Sequence, residues 1–268
     1  MTEAEIAAAG EALFQAEVTG RQIGLLSIAH PGMTMDDAYG VQKALVARRM
    51  AAGRRVIGWK IGLTSRAMQA ALNIDIPDSG VLMDDMGFDS GAVIPRGRFI
   101  QPRVEAEIAF VMKAPLAGGS VTRADVVAAT DYVTPALEIL DTRILRADPA
   151  TGQTRRIFDT IADNAANAGI VTGSQRHAVD AVDLRWVGAI LTRDGEVEET
   201  GLGAGVLNDP VEAVVWLARR MALYGQRIEA GQVILSGSFI RPVECPPGCR
   251  IAADFGDFGQ VAVAFAAA

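Results

Sequence analysis

Glu105 and Glu107 stand one alanine apart in QPRVEAEIAF (residues 101–110), an otherwise apolar run. Side chains alternate along a strand, so both carboxylates share one face while Val104, Ala106 and Ile108 share the other. Glu138 has a similar setting in VTPALEIL. A lone glutamate in such a run is normally a solvated edge residue, but a same-face pair with a third partner is different. Crowded carboxylates that lose their hydration repel one another and take up protons unless a cation compensates them. Oxygen-only ligation suits a hard divalent ion, Mg2+ or Mn2+.

Lys60, in GWKIGLTS, is the next candidate. A strand lysine in apolar company either pairs with a carboxylate or loses proton affinity and becomes useful for proton transfer. Asp163 and Asn164, in DTIADNAANAG, would line a site or cap a turn. Gly237 and Ser238, in LSGSFIRP, offer backbone N–H groups and a hydroxyl to an anion. GLGAGVLND (201–209) has the wrong glycine spacing for a dinucleotide loop and reads as a turn before a helix. With two histidines in the chain, neither a Ser-His-Asp hydrolase nor a His-rich zinc site is expected, and His30 and His177 read as surface residues. Cys245 and Cys249, in CPPGC, read as a turn with reduced thiols rather than a disulfide framework.

These groups need elements to hold them. The N-terminus, MTEAEIAAAGEALF, predicts an amphipathic helix, and MTMDDAYGVQKALVARRMAAG a second one ending at Gly53. From residue 54 short apolar runs broken by Gly, Pro or Asp predict strands: RRVIGWKIGL, GVLMDD, FIQPRVEAEIAFVM, YVTPALEILD and AGIVTG. RWVGAILTRDGEVEETG predicts a hairpin turning at Asp194-Gly195, and RIAADFGDFGQVAVAF a second hairpin. Helices are expected in SRAMQAAL, after Thr122 in a capping box with Asp125, and after Asp209-Pro210. Without regular βαβ alternation this is an α+β chain with a β-rich mixed sheet, not a doubly wound one. The expected division is a helical portion over 1–53 and one continuous catalytic unit over 54–268.

The chain has 268 residues, half of them hydrophobic, and a net charge of −7. No basic face for nucleic acid is expected, and no apolar run approaches the roughly 20 residues that span a bilayer. Acidic residues stand where a signal peptide would be basic, so the expected location is the cytoplasm.

Together, GWKIGLTSRAMQ, IPDSGVLMDDM, QPRVEAEIAF, TPALEILD, DTIADNAANAG and VILSGSF resemble the 2-oxo-4-enoate hydratase and 4-oxalocrotonate decarboxylase family of the fumarylacetoacetate hydrolase-like superfamily. The resemblance runs from about residue 20 to the C-terminus, and DPATGQTRR with RRIFDTIADNAANAG favours the branch that hydrates 2-oxohept-4-ene-1,7-dioate. It implies a β-rich roll of the fumarylacetoacetate hydrolase C-terminal type and a homo-oligomer built on dimers, up to a decamer. It also implies Mg2+ or Mn2+ on Glu105, Glu107 and Glu138, holding the 2-oxo acid end of a small dicarboxylic substrate. Lys60 and Asp78 are implied beside that substrate as acid–base groups, with Leu63, Gly237, Ser238, Asp163 and Asn164 as further substrate contacts. Arg155 and Arg156, with Arg143, are candidates for the distal carboxylate, since guanidinium pairs carboxylates bidentately. Trp59 and Ser79 depart from the family pattern and are expected at the pocket. The alternatives are a 2-oxopent-4-enoate hydratase, a 4-oxalocrotonate decarboxylase, and a non-catalytic partner subunit.

Overall fold

The computed structural model describes residues 1–66, 69–70 and 76–267. The helix expected over SRAMQAAL lies partly outside the described residues. The N-terminal portion is helical: α1 (Glu3–Thr19), α2 (Leu26–Ala29) and α3 (Met35–Ala51). Reciprocal capping boxes, Thr2 with Glu5 and Thr34 with Asp37, satisfy free N–H groups at the starts of α1 and α3. Leu13 of α1 and Val41 and Leu45 of α3 are fully buried together. Their cluster also takes in Ile144, and Ile161 and Ala162 from the short helix α5 (Ile157–Ala162), so the helical portion shares a core with the chain that follows. Beside it Arg49, wholly buried, meets Glu17 at 2.5 Å. Burial alone would raise the Glu17 carboxyl, but the Arg49 and Arg143 charges and hydrogen bonds from Arg54 and Arg49 hold it at about 2.

The larger sheet is built on β1 (Val56–Gly62), β2 (Asp78–Met83), β3 (Gly87–Asp89), β5 (Arg103–Met112), β6 (Thr130–Leu140), β7 (Asn167–Thr172) and β10 (Val233–Leu235). Their order is β2-β1-β10-β5-β6-β7-β3, with β11 (Val243–Glu244) also on β5. β1/β10 and β3/β7 are parallel and the remaining pairs antiparallel. The smaller sheet runs β4-β13-β12-β8-β9, from β4 (Val93–Ile94), β8 (Gly188–Arg193), β9 (Glu196–Leu202), β12 (Arg250–Asp254) and β13 (Gln260–Phe265). Both expected hairpins form here, and Asp194 and Gly195 both take positive φ, as a two-residue turn between strands of right-handed twist requires.

Two more helices complete the expected set. Thr122 caps α4 (Arg123–Ala129) and Asp209 caps α6 (Pro210–Ala222), whose proline occupies the first turn. The apolar face of α6, with Val211, Val214, Leu217 and Ala218, belongs to a core shared with Ile61, Ile108, Phe110 and Ile234 from one face of the larger sheet. That leaves the other face of β1, β2, β5 and β6 for polar work. Cys245 and Cys249 are free thiols, both buried. His177 departs from its surface reading: it is half-buried, stacks on Phe258 with ring centroids 4.6 Å apart, and bonds the Phe258 carbonyl through Nε2.

Candidate metal centre and active site

Register brings the carboxylates together. Glu105 on β5 lies directly opposite Glu138 on β6, and Glu107 follows on the same face. One oxygen from each of the three lies within 4.8 Å of the others. Glu107 and Glu138 are buried, whereas Glu105 keeps partial exposure. Glu107 Oε1 and Glu138 Oε2 are buried without a hydrogen-bond partner among the described residues. Burial and the nearby Glu138 push Glu105 up to about 8, and burial with the same neighbour pushes Glu107 well above the ordinary carboxylate range. An all-oxygen cluster with free lone pairs and this much mutual repulsion fits a hard divalent cation.

The remaining lone pairs are fixed by the backbone and one amide. The Gly237 N–H, just beyond β10, donates to Glu107 Oε2 at 2.8 Å. Asn167 Nδ2, at the start of β7, donates to Glu138 Oε1 at 2.7 Å. Lys60 Nζ lies 3.4 Å from the same oxygen. Burial alone would favour the neutral amine, but Glu138, Asp78 and the other two glutamates hold Lys60 protonated beyond its ordinary value. Of the two possibilities for this lysine, the structure takes the ion pair.

Asp78 opens β2 opposite Gly62, one step along β1 from Lys60 on the same face. Its carboxyl is buried and raised, chiefly by desolvation, against the lowering influence of Lys60. Two glycines make room for the pair. A Cβ at Gly62 would stand 2.2 Å from Asp78 Oδ1 and 2.9 Å from Lys60 Nζ. One at Gly80 would stand 2.5 Å from the Asn164 carbonyl oxygen and 3.2 Å from Lys60 Cγ. Leu63, next in the chain, is half-buried at φ 56°, a left-handed backbone that costs a non-glycine residue energy and is often found beside functional groups.

Other expected contacts have different partners. The Ser238 hydroxyl donates to the Ile240 carbonyl at 2.8 Å and accepts from its N–H, so it closes a turn instead of meeting an anion. Asn164 grips the Val81 backbone, accepting its N–H at 2.8 Å and donating to its carbonyl at 2.9 Å. Asp163 receives the Arg143 backbone N–H at 2.8 Å and its Nε at 2.5 Å, which commits Arg143 to the interior. Arg156 is exposed at the start of α5. Trp59 and Ser79 do not join the site: alternation turns them to the opposite face from Lys60 and Asp78. There they line a separate groove of about 890 Å³ with Tyr39, Arg220 and Tyr224. Sequence reasoning missed Asn167, Gly62 and Gly80. An asparagine opening an apolar strand, and glycines flanking the lysine and the aspartate, were the available signals.

No protein-family model matches the chain. A 2-oxo-hept-4-ene-1,7-dioate hydratase of Escherichia coli is 49% identical over 94% of this chain and 95% of its own. A 2-keto-4-pentenoate hydratase of Paraburkholderia xenovorans (strain LB400) is 42% identical over 99% and 96%. Among solved structures, 4-oxalocrotonate decarboxylase from Pseudomonas putida G7, complexed with magnesium and adipate, superposes with a TM-score of 0.92 at 35% identity, covering 99% of this chain and 98% of that one.

Proposed function

We infer the reaction from the family: the chain belongs to the 2-oxo-4-enoate hydratases and 4-oxalocrotonate decarboxylases, and its fold is of the fumarylacetoacetate hydrolase-like kind. It is a hydro-lyase that adds water to 2-oxohept-4-ene-1,7-dioate, giving 4-hydroxy-2-oxoheptane-1,7-dioate, in the catabolism of aromatic compounds. The observation that carries this is the convergence of Glu105, Glu107 and Glu138 on one sheet face beside Lys60 and Asp78.

Glu105, Glu107 and Glu138 hold the divalent cation, Mg2+ or Mn2+. When bound, it supplies Lewis acidity toward the 2-oxo group and adjoining carboxylate of the substrate. The protein's own groups do the rest. A proton must leave C3 and another arrive at C5 as the double bond moves into conjugation; then water must lose a proton as it adds at C4, and C3 must take a proton back. Asp78, whose carboxyl burial has made more basic, and Lys60, a buried donor within reach of Glu138, are the acid–base pair for these transfers. Gly237 and Asn167 orient the glutamates through their N–H groups.

The assembly is a homo-oligomer built on dimers. Support comes from an apolar band on and beside the hairpin at the edge of the smaller sheet: Trp186, Ile190, Val197 and Leu202 are all exposed. Among the described residues no helix is long and apolar enough to cross a membrane. Two free thiols support a reducing, cytoplasmic location.

The test is a substrate panel with Mg2+, scored for water addition at C4 and for CO2 release. The expected result is C4 hydration of the seven-carbon diacid ahead of 2-oxopent-4-enoate. CO2 release would reassign the chain to the decarboxylase branch, and preference for 2-oxopent-4-enoate to the monoacid hydratases. No turnover at all would leave it a non-catalytic partner.

A further inference from the structure

Several arginines that leave the solvent have a partner inside the protein. Arg49 meets Glu17 and Arg143 meets Asp163, while Arg155, half-buried, donates to the Thr142 hydroxyl with Asp163 the chief opposite charge near it. Arg220, near the end of α6, has none. It is half-buried, yet among the described residues it makes no ion pair and donates no hydrogen bond. Its guanidinium carbon lies instead 5.4 Å from the centre of the Tyr39 ring and 5.1 Å from that of Tyr224. Aromatic rings hold a guanidinium through its flat face, which leaves the five N–H donors at its edge uncommitted.

Arg220 lines the groove of about 890 Å³ that also holds Trp59 and Ser79, with residues of α3, α6, β1 and β2 around it. That volume suits a small molecule, and such sites are mostly apolar with a few polar groups that fix orientation. Val46, Val81 and Met221 give apolar wall here, and Trp59, Tyr39 and Tyr224 give aromatic wall. Trp59 is fixed through its own Nε1–H, which donates to Gln232 Oε1 at 3.1 Å. The charges on the lining do not balance. Glu229 is taken by Arg227 at 2.7 Å, whereas Lys43, like Arg220, has no carboxylate within ion-pair distance among the described residues. In a chain of net charge −7, the groove is a local reversal of sign that attracts an anion.

We propose that this groove is a second small-molecule site, which takes an aromatic monocarboxylate with its ring against Trp59 and Tyr224 and its carboxylate on Arg220. A guanidinium edge pairs a carboxylate through two parallel N–H bonds, and the aromatic walls suit a flat apolar body. With Arg220 and Lys43 the unmatched cations, a polyphosphate would remain under-compensated. The groove lies on the sheet face opposite Glu105, Glu107 and Glu138, so the inference does not rest on the hydratase reading.

The test titrates 2-naphthoate, and 2-naphthylmethanol as its uncharged counterpart, calorimetrically into the Mg2+-loaded protein. Oxalate is kept saturating, so that a cation on the glutamates already has its ligand. Wild type should bind one naphthoate per chain, about tenfold more tightly than the alcohol, the worth of one charge-assisted pair. Arg220→Met, which keeps the bulk and loses the charge, should bring the two ligands to equal affinity, and Arg220→Lys should keep part of the difference. Tyr224→Ala, at an exposed ring, should weaken both ligands alike. No saturable binding of naphthoate to wild type, equal affinity of wild type for the two ligands, or an unchanged preference in Arg220→Met overturns the proposal. If Arg220→Met melts early, Lys43→Met at an exposed side chain reads the same excess of charge and should narrow the preference; no narrowing counts against the site.

Discussion

At Gly62 the space for one hydrogen atom is what lets Asp78 and Lys60, the proposed acid–base pair, come together. Asp78 and Lys60 approach from adjacent strands because neither meets a side chain there. Gly62→Ala would drive its methyl into the Asp78 carboxylate or the ammonium. Displacements near an ångström at reacting groups cost on the order of 100-fold in rate. The expected outcome is therefore a fall in kcat of about 100-fold with Mg2+ affinity held within about threefold, since the glutamates are on other strands. Steady-state kinetics and calorimetric Mg2+ titration check it; an unchanged kcat would show that the spacing of the pair does not matter. At this scale the sequence disclosed the charged residues but not their neighbours. Glu105 and Glu107 announced themselves by spacing, whereas Asn167 and Gly62 carry no chemistry until the fold places them beside Glu138 and Asp78.

Within the helical portion α1 is tied to α3 by an ion pair that titrates. Glu17, near the end of α1, is held at about 2 against an ordinary value of 4.5, burial opposing and Arg49, Arg143 and Arg54 prevailing. A folded value below the unfolded one means that the unfolded chain binds the proton first. The resulting stability is fully present above about pH 4.5 and is lost as the pH falls through about 2. Urea titrations across this window should show a steep loss in wild type and a shallower one in Glu17→Gln, which starts from lower stability at pH 7. Equal slopes would mean that the pair does not report on folding. Local patterns disclosed α1, α3, α4 and α6 because their caps and apolar spacing are written in neighbouring residues. They could not disclose that Arg49 is wholly buried, because its partner Glu17 lies on another helix.

On the scale of the molecule, the site ties together five strands that are distant in sequence: β1, β2, β5, β6 and β10 supply or flank Lys60, Asp78, the glutamates and Gly237. A cation that binds only this folded arrangement stabilises the whole chain, by about 2.7 kcal/mol at one hundred times its Kd. Differential scanning calorimetry should accordingly show a Tm rise of ~5–10 °C on adding Mg2+ to chelator-treated protein. Glu107→Gln should show little or none of that rise. A Tm indifferent to Mg2+ in wild type would argue against the three glutamates as a metal site.

The sequence alone determined that Glu105, Glu107, Glu138 and Lys60 could carry chemistry, the class of ion the glutamates suit, and the α+β character, because strand alternation, capping and carboxylate crowding are local properties of the chain; Asp78 came from the resemblance to a family. Tertiary structure decided the rest. It set Glu138 opposite Glu105, turned Trp59 and Ser79 away from the site, closed a turn with Ser238, and committed Arg143 to Asp163. Each of these depends on strand register or on a partner far along the chain, and no local pattern encodes which distant group will arrive.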